Sequence, residues 1–183
     1  MELLDLVNEV GIPTGQTIER HEAHRVGALH RTSHVWLVRK KEGRIQLLLQ
    51  QRSACKDSFP GCLDISSAGH IPAGQDFVSS ALRELQEELG VTAAESELYD
   101  CGQRTIRYHA QFHGRPFLEN QISKVYFLWK DPPSFRLQPE EVEKVLWMDF
   151  DACVQGVQTG AFPNCIALEE LMMLKRAIAK QQM

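Results

Sequence analysis

Between Phe77 and Leu89 the apolar residues recur at helical spacing, with Val78, Ala81, Leu82, Leu85 and Leu89 on one stripe. Asp76 stands at the N-cap position, and Gly90 stands where a helix ends in a left-handed residue. The other face carries Glu84, Glu87 and Glu88 at i, i+3 and i+4, so three carboxylates project together. Like charges at that spacing repel, and a helix selected for stability alone would place lysines among them. A divalent cation removes the conflict: magnesium prefers hard oxygen ligands, with waters and phosphates completing an octahedron. Arg83 is placed to orient a glutamate through a bidentate pair. An acidic run by itself is more often a solvated surface, so the residues around the trio have to decide.

Those residues are strand-like. His34–Arg39 and Ile45–Gln51 read as two strands joined by the polar turn Lys41-Glu42-Gly43-Arg44, and further strands are expected at Leu98–Thr105, Gln121–Trp129 and Val145–Met148. Asp5 to Gly15 reads as a short strand and turn, and residues 16–32 form a polar, histidine-rich stretch. A short helix starts near Asp149. The last helix, Cys165–Lys180, is expected to bury Leu168, Leu171, Met172 and Leu174 or Ile178. With no regular βαβ alternation, the expectation is one α/β domain over residues 1–183, a sandwich around a mixed sheet.

The formal charge of -4 gives no electrostatic footprint for a nucleic-acid polymer or an anionic membrane. Phosphate binding in such a chain must rely on a metal or a few local arginines. No segment approaches the roughly 18 apolar residues of a membrane span, and Met1-Glu2-Leu3-Leu4-Asp5 does not open like a secretory signal. The five cysteines are scattered without CxxC spacing, which argues against a zinc site or a disulfide framework and favours a reducing cytoplasm. A monomer and a homodimer are both compatible with the sequence.

Gly69, five residues, Gln75, seven residues and then Arg83-Glu84-Leu85-Gln86-Glu87-Glu88-Leu89-Gly90-Val91 resembles the Nudix box. That pattern is Gly-x5-Glu-x7-Arg-Glu-U-x-Glu-Glu-x-Gly-U with U aliphatic, and it differs here at one defined position, Gln75. The resemblance implies an α/β/α sandwich and a pyrophosphohydrolase acting on a nucleoside diphosphate or a related small diphosphate. It implies Glu84, Glu87 and Glu88 as ligands of magnesium, with manganese as the substitute, and Arg83, Glu84 and Glu87 as residues of the catalytic centre. Such a metal polarises the phosphate and lowers the pKa of an attacking water. Glutamine at position 75 keeps length and an oxygen but loses charge, so a reduced metal affinity with an intact fold is expected. A catalytically weak module that binds a diphosphate is the alternative in another class.

A second resemblance spans more of the chain. Gly11-Ile12-Pro13-Thr14-Gly15, Ala23-His24, Leu29-His30, Phe59-Pro60-Gly61 and Gly69-His70 are similar to stretches of isopentenyl-diphosphate isomerase, a member of the same superfamily. It implies metal-ligand positions at His24, His30, His70 and Glu119. The isomerase has a cysteine where this chain has Ala68 and an acid where it has Gln121, and neither alanine nor an amide transfers a proton. Hydrolysis is therefore expected rather than isomerisation, with Glu119 or a box glutamate as the base. Arg52, at the end of a strand before the box, is a candidate phosphate ligand together with Gly69; Arg104 and Arg107 are weighed similarly. Among the aromatics, Phe59, Tyr108 and Phe117 are candidates for stacking, while Trp36 belongs to the core.

Overall fold

The computed structural model of the chain describes residues 2–182. Its strands are β1 (Leu3–Val7), β2 (Pro13–Glu19), β3 (His30–Lys41), β4 (Arg44–Arg52), β5 (Leu63–Asp64), β6 (Ser67–His70), β7 (Tyr99–Phe112), β8 (Arg115–Trp129) and β9 (Val142–Asp149). The helices are α1 (Arg20–Val26), α2 (Phe77–Leu89), α3 (Phe150–Thr159) and α4 (Leu168–Gln181). The main sheet runs β5-β4-β3-β8-β7, with β6 on β3 and β9 on β4, while β1 and β2 form a separate ribbon. β3 and β8 are parallel and the other pairs antiparallel, so the expected mixed sheet is present.

The central strands read as unbroken apolar runs because both faces are covered. Trp36 and Val38 of β3, Leu47 and Leu49 of β4, and Val125 and Phe127 of β8 pack with Leu171, Leu174 and Ile178 of α4 and Cys153 of α3. The alternate residues Val35, Leu37, Leu48, Tyr126 and Leu128 face Ala81, Leu85 and Leu89 of α2. One period-2 pattern thus supplies two apolar layers, and the result is an α/β/α sandwich. At the β3–β4 turn Glu42 and Gly43 both have positive φ, the geometry that matches a two-residue hairpin to strand twist.

The α2 boundaries follow the sequence signals. Asp76 accepts from the Ser79 amide, and Gly90 caps the helix in the left-handed conformation at φ 69°. Only glycine fits at position 90, since a Cβ there would lie 2.7 Å from Arg136 Cβ and 3.2 Å from the Arg136 backbone.

Several elements differ from the sequence expectation. The last helix starts at Leu168 rather than Cys165, and Leu168 is exposed rather than buried, because it opens the first turn facing solvent. The histidine-rich stretch contains most of β2 and all of α1, seven residues whose polar composition hides any apolar stripe. The hairpin β7–β8 is also longer than expected, pairing from Tyr99–Phe127 to Phe112–Arg115 with one register shift between Asp100 and Gly102. Its outer half carries the alternation Ile106, Tyr108, Ala110, Phe112, with those four positions more buried than the residues between them. This half extends beyond β3, whose pairing with β8 begins at His30–Gln121.

The β1–β2 ribbon is tied to the loop before α2. The Arg31 guanidinium donates to Asp5 at 3.0 Å and to the Gln75 carbonyl at 2.9 Å, while Asp5 also accepts from the Gly74 amide at 2.9 Å. These bonds set the approach of the chain into α2.

Candidate active site

A cleft of about 1190 Å³ lies between α2, the outer β7–β8 hairpin, α1 and the loop Ser53–Gly61. All three α2 glutamates line it. Glu87 is exposed to the cleft, whereas Glu88 is only 3% exposed and turns toward the sheet. There it accepts from the Ala68 amide at 3.2 Å and more weakly from Gln50 Nε2 at 3.5 Å. Burial pushes its carboxyl up to about 8 against a partly compensating Ser67 hydrogen bond, with Glu84 and Glu141 adding repulsion. Glu84 is pushed up to about 7, chiefly by burial, although Arg83 favours its charged form. One buried and one half-buried carboxylate beside a third, the buried one without a basic side chain in contact, form a site that a divalent cation fits.

Arg83 pairs with one oxygen of Glu84 and donates to the His70 carbonyl at 3.4 Å, so the contact is single rather than bidentate. Gly69 has a steric part in the same arrangement. A Cβ at that position would lie 2.2 Å from Glu84 Cδ, so glycine is what lets β6 and α2 approach closely enough to hold the carboxylate.

A second polar cluster lies on the sheet face. His24 from α1, His30 from β3 and His70 from β6 bring ring nitrogens within 4.8 Å of one another. Glu119 of β8 lies 3.6 Å from both His24 Nδ1 and His30 Nε2. Burial lowers all three imidazoles, His24 to about 3, and mutual repulsion with His30 adds to this for His24 and His70. Glu119 is raised to about 7 by its own burial. Neutral rings with buried, unpartnered nitrogens at His24 Nδ1 and His30 Nε2 suit a metal ion of the kind that prefers imidazole. The Ala28 carbonyl, 2.9 Å from His30 Nδ1, fixes that ring in the manner of an outer-shell partner.

The basic groups around the cleft are mostly committed. Arg52 spends its guanidinium on Asp64 at 2.8 Å and on Ser58, closing the base of the Ser53–Gly61 loop. It lines the cleft wall, but its bonds are those of a loop anchor. Lys56 pairs with Glu141, and Arg104 with Glu169 and Glu170. Arg107 and Arg115, on the hairpin, line the cleft without a carboxylate partner among the described residues. Tyr108, Phe112 and Phe117 meet Phe59 in an edge-to-face and stacked cluster. Trp36 is fully buried in the core, as expected.

The NUDIX domain family pattern matches residues 28–163, most of the chain. The chain belongs to the Nudix family. It is 41% identical over 154 residues to "Nudix hydrolase 3" of Arabidopsis thaliana, a stretch covering 82% of this chain and 19% of that protein. The chain thus corresponds to about a fifth of that relative's length. It is 31% identical over 151 residues to the isopentenyl-diphosphate Delta-isomerase of Pectobacterium atrosepticum, covering 82% and 78%. Among solved structures, the Deinococcus radiodurans protein DR0079 shares the fold, with a TM-score of 0.69 at 23% identity over 96% of this chain and 99% of that one. Both resemblances drawn from the sequence therefore have counterparts among relatives of this Nudix chain.

The structure gathers Arg83, Glu84, Glu87, Glu88, Gly69, Arg52 and Glu119 around one cleft, with Glu119 beside the histidines rather than beside the α2 carboxylates. The side chain of Gln75 is exposed, and it is the backbone carbonyl of this residue that Arg31 holds. Glu141 was missed from sequence. It stands just before β9, with its amide and carbonyl bonded to Gln138 and Ser53, and nothing in the local pattern marks it as facing α2.

Proposed function

We propose that the chain hydrolyses a diphosphate bond in a nucleoside diphosphate or related small molecule, using magnesium or manganese held by Glu84, Glu87 and Glu88. The observation that carries this reading is the convergence of three carboxylates, two with strongly raised pKa values, in a cleft large enough for a nucleotide-sized ligand. When bound, the cation supplies charge to polarise a phosphate and acidify a water. Arg83 holds Glu84 in place, Gly69 leaves the room for it, and Glu119 and Glu141 are two cleft carboxylates outside the box that can take the water's proton. Arg107 and Arg115 are the groups free to meet phosphate charge.

Hydrolysis is favoured over isomerisation because Ala68 and Gln121 stand at the two positions where proton transfer would be needed. The alternative of a binding module rested on Gln75 and Gln121, and the exposed side chain of Gln75 removes one of its two supports. A screen of nucleoside diphosphates, diphosphate sugars, dinucleotides and prenyl diphosphates with magnesium tests the reading. Glu87→Gln should lower turnover by about a thousandfold with the fold intact, the order of loss expected for removing a group that stabilises transition-state charge. Full activity in that variant rejects the assignment.

A further inference from the structure

On the floor of the cleft lies an acid–base pair that the Nudix box does not account for. His34 of β3 and Glu170 in the first turn of α4 are 136 residues apart in sequence, yet His34 Nδ1 lies 3.1 and 3.0 Å from the two carboxylate oxygens. Glu170 also accepts from Trp36 Nε1 at 2.9 Å and from Arg104 at 3.0 Å, so three donors fix its position. Burial opposes charge on both partners, but their mutual attraction prevails, raising the pKa of His34 and lowering that of Glu170. The bond at Nδ1 orients the ring and leaves Nε2 on the other side. Its contact there is Ser123 Oγ at 3.4 Å, a hydroxyl already engaged with Thr32 and Gln121. His34 lines the same cleft as the glutamates. Its ring faces α4, and its strand partner Ala68 donates its backbone amide to Glu88, so β6 links the two parts of the cleft. The other charged groups around it are Asp64 of β5, Arg104 of β7 and Glu119 of β8.

We infer that His34, positioned by Glu170, is the acid that protonates the departing phosphate oxygen; the inference rests on the hydrolase reading above. In that step a water oxygen bonds to one phosphorus and the bond from that phosphorus to the bridging oxygen breaks. The bridging oxygen keeps the electron pair and takes the Nε2 proton. The water's proton passes to a carboxylate of the cleft, and His34 recovers its own proton from solvent. Its role as donor requires the imidazolium, so activity must fall as pH rises through the His34 pKa.

The test is the pH profile of kcat/KM with magnesium for the wild type, His34→Gln and Glu170→Gln. His34→Gln is expected to lose about a hundredfold in kcat and to lack the alkaline fall, the size typical of one general acid. Glu170→Gln should move the alkaline fall to lower pH. A His34→Gln enzyme with activity within about twofold of wild type, or with its alkaline limb intact, overturns the inference. If either variant fails to fold, nitrogen NMR of the wild-type ring decides instead. A His34 ring already neutral at pH 7, or unmoved by inorganic diphosphate with magnesium, overturns it equally. Turnover that Glu87→Gln abolishes and His34→Gln leaves unchanged defeats this inference alone; absence of any diphosphate turnover in the wild type defeats the hydrolase reading and this inference with it.

Discussion

The cleft holds two polar clusters built in opposite ways. Glu84, Glu87 and Glu88 come from one helix, at spacings that the helical repeat puts on neighbouring positions. His24, His30, His70 and Glu119 come from α1, β3, β6 and β8, and meet only because the strand register sets His30 opposite Gln121 and Thr32 opposite His70. The first cluster accumulates like charge that burial makes worse. The second has imidazoles that burial holds neutral, beside one carboxyl, Glu119, that burial raises to about 7. One is therefore prepared for a hard cation and the other for a cation that accepts nitrogen, within a single cleft.

The sharpest way to break the carboxylate half of this contrast is Gly69→Ala. Its new Cβ would occupy the space of the Glu84 carboxyl, a flexible group that can swing away, so folding should change little while the metal site is spoiled. Turnover is expected to drop by about a hundredfold, the order of effect expected when a charge-stabilising group is misplaced, and a melting curve checks the fold. Unchanged activity would mean that Glu84 does not work from its present position.

The histidine half is tested by counting ions. Wild type should bind cobalt at two sites per chain and His70→Asn at one, read by metal analysis and visible absorbance, while magnesium binding at the glutamates is unchanged. Equal cobalt content in both proteins would leave the histidines a structural cluster.

A smaller effect separates the clusters by pH. Glu88 rises from 4.5 unfolded to about 8 folded, so its protonated form is favoured in the fold. The Glu88 contribution to metal-free stability should then decline as pH climbs from 4.5 towards 8, and magnesium should restore most at the alkaline end. Glu88→Gln should remove that fall in thermal melts with chelator, leaving the opposite trend of His24, whose lowering from 6.5 to about 3 makes stability rise with pH up to about 6.5.

The smallest effect is expected from Gln75→Glu, which restores the residue of the box pattern. With that side chain in solvent, kcat and magnesium affinity should stay within about twofold of wild type, as surface substitutions usually do. A large gain would show that position 75 reaches the metal after all.

The same contrast explains what could be read from sequence. α2, its caps and its glutamates were legible because each signal lies within a few residues of the next, and the β3–β4 hairpin was legible for the same reason. The expected reduction of metal affinity at Gln75 rests on the pattern, and the exposure of that side chain is a fact the pattern does not carry. Glu141, and the pairing of His34 with Glu170, depend on contacts across the whole chain, which spacing does not encode. The outer arms of β7 and β8 did carry a signal, the alternation from Ile106 to Phe112, but charged residues between the apolar ones obscured it.

Those arms have a consequence for how such a protein changes over generations. Beyond Gln121 the hairpin has strand partners only within itself, so its tip can change length without disturbing the helix that carries the glutamates, whereas Phe117, Glu119 and Asn120 at its base are tied to the histidines and to α1. Arg107, Arg115, Tyr108 and Phe112 ride on this outer part. A lineage can thus remodel this wall of the cleft, arginines and aromatics together, while inheriting the carboxylate-bearing helix unaltered.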